Sequence, residues 1–120
     1  MAQGCDTLVV HCMDYRLQFP LNEWLAVNLP ANSYDRISIA GGVYDVFDVL
    51  RQVELASRLH GIGRVVLINH EDCGAYGLEN SDARHETDLR AAREKINRLF
   101  PQLKVDLIYQ CLDGTFERID

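Results

Sequence analysis

Val65–Gly77, V-V-L-I-N-H-E-D-C-G-A-Y-G, is the stretch whose reading decides the fold. Val65 to Ile68 is a β-branched and aliphatic run, the composition of a strand buried on both faces. The run ends in His70, and Cys73 follows three residues later at a glycine turn. In α/β proteins, chemistry collects just past the carboxyl ends of such strands. A second apolar run, T-L-V-V-H-C, ends in Cys12 and leads at once into Met13-Asp14-Tyr15-Arg16. Two cysteines and one histidine at the ends of two strands predict a three-ligand zinc site with a vacant fourth position.

Outward from this stretch, strands and helices alternate. Thr7–His11 reads as the first strand. Pro20 opens a helix over Leu21–Leu29 that presents Leu21, Trp24, Leu25 and Asn28 along one side. Pro30-Ala31-Asn32-Ser33 is a turn, and Arg36–Ala40 a second strand closed by Gly41-Gly42. Val43 to His60 carries the clearest helical period, with Val46, Leu50, Val53 and Leu59 in one stripe, widened by Phe47 and Ala56 and stopped by Gly61. Arg64–Asn69 is the third strand. Glu79 to Glu86 is polar and reads as a loop. Thr87 or Asp88 then caps a helix whose Leu89, Ala92, Ile96 and Leu99 share a face up to Pro101. Lys104–Gln110 is a fourth strand, Asp113-Gly114 a turn and Thr115–Ile119 a short edge strand.

This order predicts an α/β fold, a mostly parallel sheet flanked by helices, within one domain spanning residues 1–120. A 2-1-3-4 strand order makes the first and third strands the switch point, and opens a crevice between Cys12 and the His70/Cys73 pair.

Bulk properties narrow the function. Hydrophobic content of 48% and charged content of 25% are those of a soluble globular protein. A net charge of −6 argues against nucleic acid as a partner, since phosphate contacts need a basic surface. No apolar run approaches a membrane span, and M-A-Q-G-C-D-T lacks a cationic, apolar leader, so a cytoplasmic protein is expected. In a reducing compartment Cys12 and Cys73 read as ligands or nucleophiles rather than a bridge. Cys5 and Cys111 read as inert. His11, His60 and His85 lack evident partners and read as structural or solvated, and the basic residues from Arg84 to Arg98 as a solvated helix face.

Charge arithmetic refines the zinc reading. A zinc dication with two thiolates is formally neutral, so it acidifies bound water less than a three-histidine site and benefits from help nearby. Residues two apart in an extended segment share a side, which lets Cys12, Asp14 and Arg16 face one pocket. Arg16 would hold Asp14 ionised by a bidentate pair. Asp14 would then accept a hydrogen bond from the bound water, or ligate zinc itself as a fourth ligand. A phosphatase loop is excluded: its arginine position, five residues beyond the cysteine, is Gln18. Ala40-Gly41-Gly42 reads either as a tight turn or as backbone open to a small anion.

Cys12-Met13-Asp14-Tyr15-Arg16 with His70-Glu71-Asp72-Cys73-Gly74 resembles the paired C-x-D-x-R and H-x-x-C-G motifs of the β-class carbonic anhydrases. Ala40-Gly41-Gly42 falls at that family's alanine–glycine loop, and Ile108–Thr115 resembles its closing strand and turn. The resemblance implies a zinc held by Cys12, His70 and Cys73, with Asp14 and Arg16 as the catalytic dyad. It implies a zinc lyase in which zinc-bound hydroxide converts CO2 to bicarbonate, with Asp14 closing the site in some members, and a homodimer or higher oligomer. Relatives that hydrolyse carbonyl sulfide or carbon disulfide supply an alternative substrate class, and a non-catalytic zinc-stabilised binding module a third reading. The chain departs from typical members in its shortness, in lacking their N-terminal helical arm, and in carrying Ser38 and Ile39 where arginine and asparagine are usual.

Overall fold

Period-two alternation along the central strands sorts their apolar side chains into two cores. Leu8, Val10, Val65, Leu67, Val105 and Leu107 point to one face of the sheet, where they meet Val49, Val53, Leu89, Ala92 and Ile96. Val9, Val66 and Ile108 point to the other and meet Leu21, Leu25 and Leu29. The computed structural model, which describes residues 4–120, gives these strands as β1 (Thr7–Cys12), β2 (Tyr34–Ile39), β3 (Arg64–His70), β4 (Lys104–Gln110) and β5 (Phe116–Ile119). The helices are α1 (Gln18–Asn28), α2 (Val46–His60) and α3 (Asp82–Leu99). The reading of the amino terminus falls partly on residues 1–3, outside the described residues.

The sheet order is β2-β1-β3-β4-β5, parallel except for β5, which runs antiparallel to β4. The mostly parallel, helix-flanked sheet and the 2-1-3-4 order with an added edge strand are as the sequence implies. Helix α1 covers one face, α2 and α3 the other. β1 lies between β2 and β3, so the chain reverses direction across the sheet at β1/β3, and a crevice opens at their carboxyl ends. Among the described residues no helix is long and apolar enough to cross a membrane.

Local chemistry sets the helix ends. Asp45 caps α2 by accepting from the Phe47 N–H, and Gly61 closes it in the left-handed region at φ 64°, donating to the Ser57 C=O. The helix therefore begins at Val46, because Gly41 and Gly42 hold a turn before it. Helix α3 corrects the sequence reading more strongly. Its cap is Ser81, whose side chain accepts from the Arg84 N–H, so residues 82–86 are helix and not loop. Two expected core positions also fail: Leu59 and Leu99, in the last turns of α2 and α3, are 51% and 61% exposed. Phe47, expected to widen the α2 stripe, is 78% exposed.

Candidate metal centre

β1 ends in Cys12 and β3 in His70, which places the two side by side at the mouth of the crevice. Asp72, at φ 56°, turns the chain back so that Cys73 follows His70 into the same space. The ligand atoms of Cys12, His70 and Cys73 all lie within 4.8 Å of one another, and all three residues are buried. The cysteines are free thiols.

The histidine is set for coordination. Its Nδ1 donates to the Glu71 C=O at 2.7 Å, which leaves the Nε2 lone pair facing inward. Nε2 is buried and has no hydrogen-bond partner. A buried acceptor left without a donor is costly, so the donor set fits a thiophilic, imidazole-binding cation such as zinc.

Electrostatics favour one thiolate in this pair. The hydrogen bond from Cys73 pulls the Cys12 thiol down against its burial, assisted by His70 and by the Gly41 N–H, 3.3 Å from Cys12 Sγ. The same partnership, with burial, pushes Cys73 up. Burial opposes charge on His70, yet Cys12 and the Glu71 carbonyl raise it overall.

Beside the cluster, Arg16 grips Asp14. Nη2 donates to Oδ2 at 2.7 Å, Nε reaches both carboxylate oxygens at 3.2 Å, and the Arg16 backbone N–H adds 2.9 Å to Oδ1. These bonds hold the Asp14 carboxyl well below the usual carboxylate range. Asp14 and Arg16 are not simply extended residues: Asp14 caps a 3-10 turn over Tyr15–Leu17. Arg16 also donates to Asp72, through Nη1 to Oδ2 at 3.1 Å and Nη2 to the C=O at 2.9 Å, tying the two motifs together. Cys12, Cys73 and Asp14, with Met13, Tyr15, Ala40, Gly41, Gly74 and Ala75, line an otherwise apolar pocket of about 230 Å³.

Several supports were not singled out from sequence. Asn69 accepts from the Val43 N–H at 3.0 Å and donates to the Tyr76 hydroxyl and His85 Nδ1, both at 2.9 Å. His85 Nε2 donates to Asn80 Oδ1 at 2.8 Å, and that oxygen also receives the Cys73 N–H at 3.1 Å. Ala40-Gly41-Gly42 is a tight turn whose close approach Asn69 secures. A Cβ at Gly42 would lie 2.8 Å from the Ile68 carbonyl oxygen and clash with Asn69 Oδ1. The three remaining histidines are all partnered. His11 accepts from Arg36 Nε at 2.8 Å, and His60 pairs with Asp35 at 2.6 Å. His85 is fully buried. Polar residues with partners far along the chain give no periodic signal; only Asn69, the β3 residue next to His70, adjoins the motif.

Comparison with known proteins agrees with this architecture. A carbonic anhydrase from Glaciozyma antarctica superposes with a TM-score of 0.73 at 20% identity, covering 95% of this chain and 81% of that one. A carbonic anhydrase from Streptococcus mutans gives 0.70 at 20% identity with the same coverage. An uncharacterized protein of Rickettsia conorii is 28% identical over 95% of this chain and 72% of its own length. The fold is thus β-carbonic-anhydrase-like. With its family model matched over residues 2–120, the chain belongs to the family described as "Putative carbonic anhydrase".

Proposed function

We propose that this protein is a zinc lyase that interconverts CO2 and bicarbonate. The observation that carries the reading is the convergence of Cys12, His70 and Cys73 within 4.8 Å around an unpartnered His70 Nε2. These three residues would hold zinc, which when bound supplies a Lewis acid able to make water nucleophilic near neutral pH.

The chain's own residues do the rest. Asp14 stays ionised because Arg16 occupies both its oxygens, and it accepts the hydrogen bond of the reacting water. That contact orients the oxygen toward the carbon of CO2; one C–O bond forms, one C=O π bond opens, and a proton leaves to solvent. The Arg16 clamp favours this acceptor role over direct ligation, since a ligating carboxylate would surrender part of a bidentate pair. The apolar walls from Met13, Tyr15 and Ala75 suit an uncharged substrate. Arg16, fixed to Asp14 and Asp72, serves as a positioning residue.

Exposed apolar side chains support assembly of copies. Met13 and Tyr15 at the pocket are 61% and 86% exposed, and Phe19 and Leu78 elsewhere 72% and 105%, a cost that a homodimer or larger homo-oligomer removes. The same apolar pocket admits a second reading, hydrolysis of carbonyl sulfide or carbon disulfide, which sulfide release would reveal. Stopped-flow CO2 hydration on protein of measured zinc content tests the first. Turnover that rises with pH and disappears with the zinc lost in Cys12→Ser is expected; zinc that is lost in Cys12→Ser, bound in the wild type without turnover, overturns it.

A further inference from the structure

A second set of metal-ligating side chains converges at the opposite end of the sheet. Cys5 lies just before β1, Asp35 is the second residue of β2, and His60 is the last residue of α2. The Cys5 Sγ, an Asp35 carboxylate oxygen and a His60 ring nitrogen all lie within 4.8 Å of one another. Thr7 to Cys12 spans about 17 Å at ~3.3 Å per residue, so this cluster is separate from the one at the carboxyl ends.

The backbone builds it. The Cys5 N–H donates to the His60 C=O at 3.1 Å, which fixes the start of β1 against the end of α2. The Asp6 and Thr7 N–H groups donate to the Ser33 C=O at 3.1 and 3.3 Å, which fixes it against the segment entering β2. His60 Nδ1 stands 2.6 Å from Asp35 Oδ2. The Cys5 thiol makes only a weak 3.7 Å contact with the Thr7 C=O. Asp35 and His60 side chains are 31% and 29% exposed, so a hydrated ion can reach them.

We propose that Cys5, Asp35 and His60 form a second site for a zinc-like divalent cation, with one sulfur, one nitrogen and one carboxylate oxygen as ligands. A tetrahedral zinc places such donors about 3.3–3.7 Å apart, so rotamer adjustments of order 1 Å close the cluster on the ion. Thiolate and imidazole select against magnesium and calcium, which prefer all-oxygen shells. One thiolate and one carboxylate neutralise the dication. Before metal enters, burial and the Asp35 charge hold the Cys5 thiol up, so uptake releases a proton. Filled, the site staples the starts of β1 and β2 to the end of α2.

The test is metal stoichiometry on the full chain at saturating Zn2+, with the metal quantified by mass spectrometry. Two equivalents are expected for the wild type, and one each for Cys5→Ser and His60→Asn. Thermal melts provide a second readout: added Zn2+ should raise the wild-type midpoint more than that of Cys5→Ser. Retention of two equivalents by both variants overturns the proposal. So does a single wild-type equivalent that Cys12→Ser abolishes and Cys5→Ser does not. A single equivalent lost with Cys5 and kept in Cys12→Ser sustains this site and removes the other, so the two failures are distinguishable.

Discussion

Replacing Gly42 by alanine tests how the Ala40–Gly42 turn is held against the candidate metal centre. Gly42 has φ 60°, where a Cβ costs roughly 1–2 kcal/mol in backbone strain. The added methyl would also stand 2.8 Å from the Ile68 carbonyl oxygen and press on Asn69 Oδ1. Displacing Asn69 strands the buried Val43 N–H, a loss of about 1–3 kcal/mol. The sum is on the order of 3 kcal/mol, large against the ~5–15 kcal/mol that holds a domain together but short of abolishing the fold. Gly61→Ala supplies the internal control. Gly61 has φ 64°, but nothing lies within 4 Å of its Cβ position, so only the same strain of roughly 1–2 kcal/mol remains. Equilibrium urea unfolding in excess chelator, with equal m-values, measures both without a metal contribution. Gly42→Ala should lose about 2 kcal/mol more than Gly61→Ala, the cost of the broken hydrogen bond. Equal losses would refute the claim that Asn69 pins this turn.

Asp14→Ala should keep the zinc content of the wild type while lowering CO2 hydration about 100-fold, the usual worth of a positioned proton acceptor; unchanged turnover would remove Asp14 from the chemistry. His85 supplies a pH prediction. Burial lowers its folded-state pKa below the ordinary 6.5. Between that value and the folded one the unfolded chain binds a proton that the folded chain refuses, so stability falls as pH drops through about 6.5. Urea midpoints at pH 7.5 and 5.5 should separate more for the wild type than for His85→Gln, and parallel losses would refute the assignment.

The strands were legible because burial on both faces writes uninterrupted β-branched runs, as at Thr7–His11 and Val65–Ile68. Helix α3 shows where that legibility stops. Its first turn is polar apart from Ala83, and its buried residue there is His85, which hydrophobic periodicity does not register. Apolar periodicity therefore points to a start at Thr87 or Asp88 instead of at the Ser81 cap. Cys5 and His60 read as bland for a related reason: their association depends on a strand entry, a helix exit and Asp35, separated by tens of residues.

By itself, the sequence determined the α/β alternation and the strand-end positions of Cys12, His70, Cys73, Asp14 and Arg16, since short-range hydrophobic patterning and spacing carry both. Only the tertiary structure decided which polar groups meet: Asn69 with Val43 and His85, Arg16 with Asp72, and Asp35 with His60. A hydrogen bond or ligand set is a relation between distant points on the chain, and it exists only once the sheet has brought its strand ends together.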